Sequence, residues 1–221
     1  TGYTVTSSPA GATCVVGANA TTYTCTGLTN GTAYTFAVVA VNAVGNSLSG
    51  TSSSVTTQGA ASAPTIVTAT AGDGQATVTF SGATANGSTI GSYTVQAYDS
   101  TGNAVPGATC TVTTSSTGGN CTVTGLTNGS TYTFDVVTNS TANSTSVQSV
   151  TSVDSASITP AKAPSAPTGV SVTSGTGKVT VAWTAPAANG SPITSYTVQA
   201  YNETGTAVSG ATCTISAPST T

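Results

Sequence analysis

The chain has 221 residues, only 3% of them charged, and its two lysines and five acidic residues give a formal net charge of -3. A surface with so few basic residues cannot neutralise phosphates or attach to anionic lipid, which argues against nucleic-acid and charged-membrane partners. No apolar run approaches the roughly 20 residues that cross a bilayer, so we expect no membrane insertion in this segment.

Three phrases recur along the chain in the same order. They are "SYTVQAY" (twice), "GATC" (three times), and the pair "GLTNGTAYTF" and "GLTNGSTYTF". The period is about 96 to 103 residues, which indicates a tandem repeat. Residues 1–60 then form the last part of one unit, 61–160 a complete unit, and 161–221 the first part of a third. A hydrophobic content of 37% argues against intrinsic disorder.

Within the complete unit, alternation of apolar and polar residues marks seven candidate strands separated by turns rich in Gly and Asn. The candidates are Thr65–Ala71, Gln75–Phe80, Ser92–Tyr98, Cys110–Thr114, Cys121–Gly125, Thr131–Thr138 and Thr145–Val153. Seven short strands with no helical pattern predict an all-β fold of tandem seven-stranded β-sandwiches. Alternating positions of facing strands should form the core of this unit. They are Phe80, Tyr93, Val95, Val123, Leu126, Tyr132, Phe134 and Val136.

The two partial units should contain only some of these strands. Residues 1–60 match the C-terminal strands and residues 161–221 the N-terminal strands. Half a sandwich exposes its inner sheet, so each should need completion. The two partial units could complete each other by exchanging strands between molecules. This fits poorly, because both retain the third-strand segment and joining them would duplicate that strand. We therefore expect the chain to be a window from a longer repeat protein.

The repeated ten-residue phrase has the spacing of a tyrosine corner, in which a Tyr hydroxyl ties back to the backbone just upstream. Leu28 is followed by Tyr34, and Leu126 by Tyr132, at the same separation. Together with "SAPT" openings, an aromatic residue on the second strand and Tyr on the third, this resembles the fibronectin type III family. The style is similar to the Thr-rich, cysteine-containing copies of bacterial surface proteins.

That resemblance implies an extracellular, non-catalytic module acting as spacer, scaffold or adhesive surface. The chain has no Arg, so the Arg-Gly-Asp route to adhesion is not supported. The favoured hypothesis is a structural or adhesive repeat segment of a secreted or cell-surface stalk, sheath or filament. Its expected partners are copies of itself or neighbouring repeats, with cell-surface or matrix polysaccharide as a second candidate. The alternative is an accessory spacer of a secreted polysaccharide-degrading enzyme.

The cysteines recur at equal spacing in two units. Cys14 and Cys25, like Cys110 and Cys121, are eleven residues apart and flank the same hairpin-like region, which predicts one disulfide per unit. Cys213 has no partner in this chain by the same spacing. A zinc site would need paired Cys-x-x-Cys or His ligands, which the sequence lacks. The remaining alternative to disulfides is a cytosolic protein with reduced thiols.

We expect no catalysis, no cofactor and no metal site. The chain has no His, and its five carboxylates occupy different places in the repeat, so that no pair recurs. The carboxylates belong to Asp73, Asp99, Asp135, Asp154 and Glu203. Calcium would need clustered acidic ligands, which the sequence lacks.

Overall fold

The computed structural model describes residues 2–15, 21–113 and 118–217 of the chain. Thr114, the last residue of the fourth predicted strand, lies outside these residues. Within them, every regular element is a β-strand. The all-β prediction is therefore confirmed, and the strands are numbered β1 to β17 in chain order.

The middle unit contains seven strands where the alternation predicts seven. They are β7 (Ile66–Ala71), β8 (Gln75–Ser81), β9 (Thr89–Asp99), β10 (Ala104–Val112), β11 (Gly118–Thr124), β12 (Tyr132–Ala142) and β13 (Thr145–Gln148). One antiparallel sheet has the order β11-β8-β7 and the other the order β10-β9-β12-β13. Strands adjacent in sequence lie in different sheets at several places, which gives a two-layer sandwich.

The core lies between these two sheets. Tyr93 and Val95 of β9 and Phe134 and Val136 of β12 have no exposed surface, because alternate residues of both strands point to the same side. Phe80 of β8 packs on Tyr93 across the layers, with ring centroids 5.0 Å apart. All eight predicted core residues are buried, so this prediction is confirmed.

The last predicted strand is wrong in its second half, because β13 ends at Gln148 rather than Val153. Beyond it, three serines bind β12 in place of a regular ladder, an arrangement that we call the serine clamp. Each serine N–H donates to a carbonyl of β12, and the N–H of that same β12 residue donates to the serine Oγ. The pairs are Ser149 with Thr138, Ser152 with Val136, and Ser155 with Phe134.

The segment that carries the serine clamp bulges. It advances three residues, from Ser149 to Ser152, for every two residues of β12, from Thr138 to Val136. Side-chain oxygens accept from backbone amides that would otherwise be left unpaired beside the core. The first unit has two of the three serine pairs, Ser47 with Ala40 and Ser52 with Phe36, and Gly50 pairs with Val38 between them. The clamp is thus a property of the repeat rather than of one unit.

The first unit corresponds to the second half of the sandwich. Its strands are β1 (Gly2–Ser8), β2 (Thr13–Cys14), β3 (Cys25–Thr26), β4 (Ala33–Val41), β5 (Gly50–Thr51) and β6 (Val55–Thr56). β1 pairs with β4 so that Val5 faces Val38, as Val95 faces Val136 in the middle unit. Val38 is 38% exposed, whereas Val136 is fully buried.

The third unit corresponds to the first half of the sandwich. It contains β14 (Thr168–Gly175), β15 (Lys178–Thr184), β16 (Ser195–Tyr201) and β17 (Ala207–Ser216), paired as two hairpins. The ring of Trp183 packs on that of Tyr196, with centroids 5.2 Å apart, as Phe80 packs on Tyr93. Val170 and Val172 are 63% and 69% exposed, so the apolar face of this unit is open in the described chain.

Candidate functional site

The repeated "GLTNG" phrase forms the same hydrogen-bonded corner in both units. The Tyr132 hydroxyl accepts a hydrogen bond from the Thr127 N–H at 3.1 Å, and the Tyr34 hydroxyl accepts one from the Thr29 N–H at 3.1 Å. Both phenol rings are buried. Leu126 is buried beside its corner, while Leu28 is half-buried. The corner ties a turn to the start of a strand and leaves its hydroxyl engaged.

The disulfide of the middle unit joins its two sheets. Cys110 lies on β10 and Cys121 on β11, and the two Cα atoms are 6.1 Å apart. These strands belong to different sheets, so the bond closes one edge of the sandwich. A loop of this length is stabilised by roughly 3 kcal/mol in the chain-entropy description.

The first unit has the equivalent bond in a different local setting. Cys14 on β2 and Cys25 on β3 face each other across a short antiparallel ladder, with Cα atoms 4.1 Å apart. The chain thus forms the two eleven-residue loops that its sequence spacing indicates. In the described part of the chain, Cys213 is exposed on β17 and carries a free thiol.

One carboxylate lies in an unusual environment. Asp135 is only 6% exposed on the outer face of β12, and the Tyr98 hydroxyl donates to its Oδ2 at 2.9 Å. Burial raises the pKa of Asp135, the hydrogen bond from Tyr98 partly offsets that rise, and the charge of Asp154 adds to it. Burial also raises the pKa of Tyr98, with the hydrogen bond and charge of Asp135 acting in the same direction. The first unit has Ala37 at the position of Asp135.

Another carboxylate has a purely structural role. Asp99 accepts from the Thr101 hydroxyl and from the amides of Thr101 and Asn103, and these bonds hold the pKa of its carboxyl below the ordinary value. Asn202 makes the same turn in the third unit, accepting from Thr204 and Thr206. Since an uncharged amide serves equally, the charge of Asp99 is not what the turn requires.

The described residues form neither a metal-ligand cluster nor a membrane-spanning helix. Among residues 2–15, 21–113 and 118–217, no three His, Cys, Asp or Glu side chains come close enough to hold a metal ion. The same part of the chain contains no helix long and apolar enough to cross a membrane. Four of the five carboxylates belong to the middle unit and Glu203 to the third.

Sequence reasoning missed two functional features of the backbone. In the middle unit the serine clamp is encoded as a serine every third residue, within a segment that otherwise alternates like a strand. The second feature is a buried hydrogen bond from the Ala83 N–H to the Tyr93 hydroxyl at 3.1 Å, which is a second case of a tyrosine hydroxyl accepting from a backbone amide. Both use hydroxyl groups to satisfy amides, which suits a chain rich in Ser, Thr and Tyr.

The sandwich, its repeated corner and its disulfides define a class of protein built from tandem β-sandwich repeats. The family model of the fibronectin type III domain matches the chain three times, at residues 1–58, 62–153 and 165–221. The chain therefore belongs to the fibronectin type III family. Repeats of this family are commonly structural or adhesive modules of extracellular proteins and are generally non-catalytic.

Similar folds occur among solved structures. The FN1–FN3 domains of chicken CNTN1 are 17% identical, with a TM-score of 0.39, and the match covers 98% of this chain and 76% of that one. A titin multidomain structure is 16% identical with a TM-score of 0.37, covering 71% of this chain and 54% of that one. The chicken interferon gamma receptor alpha chain is 14% identical, with a TM-score of 0.37 and coverages of 72% and 84%. No curated protein matches the sequence.

Proposed function

We propose that this chain is a non-catalytic structural or adhesive repeat segment of an extracellular stalk, sheath or filament. The observation that carries the proposal is that every motif shared by two units makes its contacts inside the chain. The disulfides link consecutive strands of one unit, the tyrosine hydroxyls accept from amides of turns, and the clamp serines bond to a strand. A repeated catalytic site would instead leave reactive groups without such partners.

The acidic residues support the non-catalytic part of the proposal. Asp135 is the one buried carboxylate, and its partner Tyr98 already occupies one of its oxygens. The first unit has Ala37 in its place, so the pair is a feature of one unit. A general base needs a substrate group within hydrogen-bond reach, and the Asp135 carboxylate is instead engaged by the Tyr98 hydroxyl.

The disulfides support an extracellular location. Disulfides persist in oxidising compartments and are rare where thiols are kept reduced. Each bond joins cysteines eleven residues apart in a small sandwich, where a cross-link adds useful stability. We therefore place the working protein outside the cell or on its surface.

The outer faces of the sheets support neutral partners. Threonine hydroxyls meet across neighbouring strands at 3.4 Å between Thr77 and Thr122 and at 3.4 Å between Thr94 and Thr111. Such rows offer hydrogen bonds with almost no charge and therefore little repulsion between like surfaces. Neighbouring repeats or further copies of the chain are the proposed partners, and polysaccharide is the second.

Recovery of the parent protein from its source tests the proposal. Antibodies against the middle unit would be used to label cells for electron microscopy and to purify the protein for intact mass and sequence. We expect label on a surface structure and further repeats or an anchoring segment in the purified polypeptide. A catalytic domain in the same polypeptide would favour the role as accessory spacer, and label confined to the cell interior would overturn an extracellular role.

A further inference from the structure

The junction between the first and middle units is formed by two Asn-Gly turns and the linker that runs between them. The turns are Asn30–Gly31 of the first unit and Asn86–Gly87 of the middle unit. The glycine N–H of the first turn donates to the Thr57 carbonyl at 2.9 Å. The asparagine of the second turn accepts from the Gly59 N–H at 3.0 Å and donates through Nδ2 to the Ala60 carbonyl at 3.0 Å.

The junction between the middle and third units repeats this arrangement atom for atom. Its turns are Asn128–Gly129 and Asn189–Gly190. The glycine N–H of the first turn donates to the Pro160 carbonyl at 2.9 Å. The asparagine of the second turn accepts from the Lys162 N–H at 3.0 Å and donates through Nδ2 to the Ala163 carbonyl at 2.9 Å. Two independent junctions therefore use the same donors and acceptors.

The glycines of the second turns are required by the contact as well as by the turn. A Cβ on Gly190 would lie 2.6 Å from the Gly129 nitrogen and 2.6 Å from the Pro160 oxygen. A Cβ on Gly87 would collide with the Thr57 carbonyl and lie 3.2 Å from the Gly31 Cα. The neighbouring unit thus approaches the backbone as closely as glycine allows.

An ordinary turn does not explain this proximity. Gly102 has a φ of +82°, almost the same as the +81° of Gly87, yet a Cβ on Gly102 would meet nothing within 4 Å. Positive φ alone accounts for glycine at position 102. At positions 87 and 190, the close backbone of the adjacent unit adds a second and separate requirement.

The tyrosine corner positions the first turn of each junction. The Thr29 amide donates to the Tyr34 hydroxyl, and the Thr127 amide donates to the Tyr132 hydroxyl. Each threonine lies two residues before the glycine of the turn. The corner thereby connects the core of one unit to the linker that leads to the next. We propose that paired Asn-Gly turns form an inter-repeat clasp that holds each repeat on the next in one fixed relation.

Inter-domain interfaces in a single chain commonly allow relative motion, so a fixed relation is a specific claim. It concerns how neighbouring repeats are held and applies equally to a surface filament and to an enzyme spacer. The Asn-Gly turn of the GLTNG phrase in one repeat therefore fits the Asn-Gly turn between the second and third strands of the following repeat. The repeated hydrogen bonds at both junctions carry this assignment.

Backbone amide exchange in the full chain tests the clasp, measured by NMR for Gly87→Ala and for its matched control Gly102→Ala. We expect the amides of Gly31 and Gly59 to exchange about tenfold faster in Gly87→Ala and at the wild-type rate in Gly102→Ala, because only the first breaks junction bonds. X-ray scattering should show a broader spread of dimensions for Gly87→Ala alone. Equal exchange of both amides in all three proteins would overturn the proposal.

The middle unit of Gly87→Ala could fail to fold, which loss of amide protection in β12 would reveal. A second pair of variants tests the clasp in that case. Asn86→Asp replaces the Nδ2 donor by an oxygen facing the Ala60 carbonyl, and Asn103→Asp makes the same change in a turn away from the junction. We expect faster exchange of the Gly59 amide in Asn86→Asp only. Wild-type exchange in both variants would contradict the clasp, because its side-chain bond would then have no effect.

Discussion

Truncation of Phe134 to Ala tests the assignment of the core in the middle unit. The side chain is fully buried between the two sheets, where it belongs to the same cluster as Tyr93 and Val123. Removing a buried phenyl ring loses its transfer free energy and leaves a cavity, which together cost about 3 to 5 kcal/mol. A domain of this size is stable by only about 5 to 15 kcal/mol, so much of its stability should disappear.

The chain provides a matched control for this experiment. Phe36 occupies the equivalent place on β4 but is only half-buried, so Phe36→Ala should cost its own unit under about 2 kcal/mol. Unfolding of a multi-unit chain is not a single transition, so hydrogen exchange resolved by peptide is the suitable assay. A loss below about 1 kcal/mol for Phe134→Ala would mean that the strand faces are inverted.

Two further changes probe the serine clamp and the buried carboxylate. Ser152→Ala leaves the Val136 amide without its acceptor beside the core, and hydrogen exchange of the middle-unit peptides should show a loss of stability of about 1 to 3 kcal/mol. Unchanged exchange of these peptides would show that the clamp bond contributes nothing. Because burial raises the pKa of Asp135, the folded state holds its proton more tightly, so stability should be greatest below the ordinary Asp pKa and fall as the pH rises through the raised value. Asp135→Asn keeps an acceptor for Tyr98 and should remove that fall, whereas identical pH profiles for the two proteins would refute the assignment.

Much of this fold could be predicted because its signals are local and repeated. Alternation predicted the existence of all seven strands of the middle unit, since a strand with one buried face has to alternate. Their bounds were less accurate, because β10 begins at Ala104 rather than at Cys110. The corner tyrosines could be found from their fixed distance to Leu28 and Leu126, and the cysteine pairs from the same spacing in two units. Repetition helped because a chance pattern seldom recurs in the same place.

The serine clamp could not be predicted because alternation carries no information about which atom accepts a backbone hydrogen bond. Ser149 and Ser152 lie in a segment rich in Val and Thr, which favours a regular strand. In the structure their Oγ atoms take the place of a ladder carbonyl, and the segment bulges instead. Strand propensity was correct here only as far as Gln148.

The inter-repeat clasp was missed for a different physical reason. Asn-Gly is a sufficient signal for a tight turn, so Asn86–Gly87 and Asn189–Gly190 already had a local explanation. Only the distances across the junction reveal that the neighbouring backbone also excludes a side chain there. Contacts between repeats depend on how two folded units meet, which a single-repeat pattern does not encode.

The central claim is that this chain works outside the cell as an array of disulfide-stabilised repeats. Cysteine mapping tests it most directly: the protein is isolated from its source, alkylated at once without reductant, and digested for mass spectrometry. The account predicts peptides linked through Cys14–Cys25 and Cys110–Cys121, since both bonds need an oxidising compartment to persist. Recovery of Cys110 and Cys121 as alkylated free thiols from the native protein would contradict it.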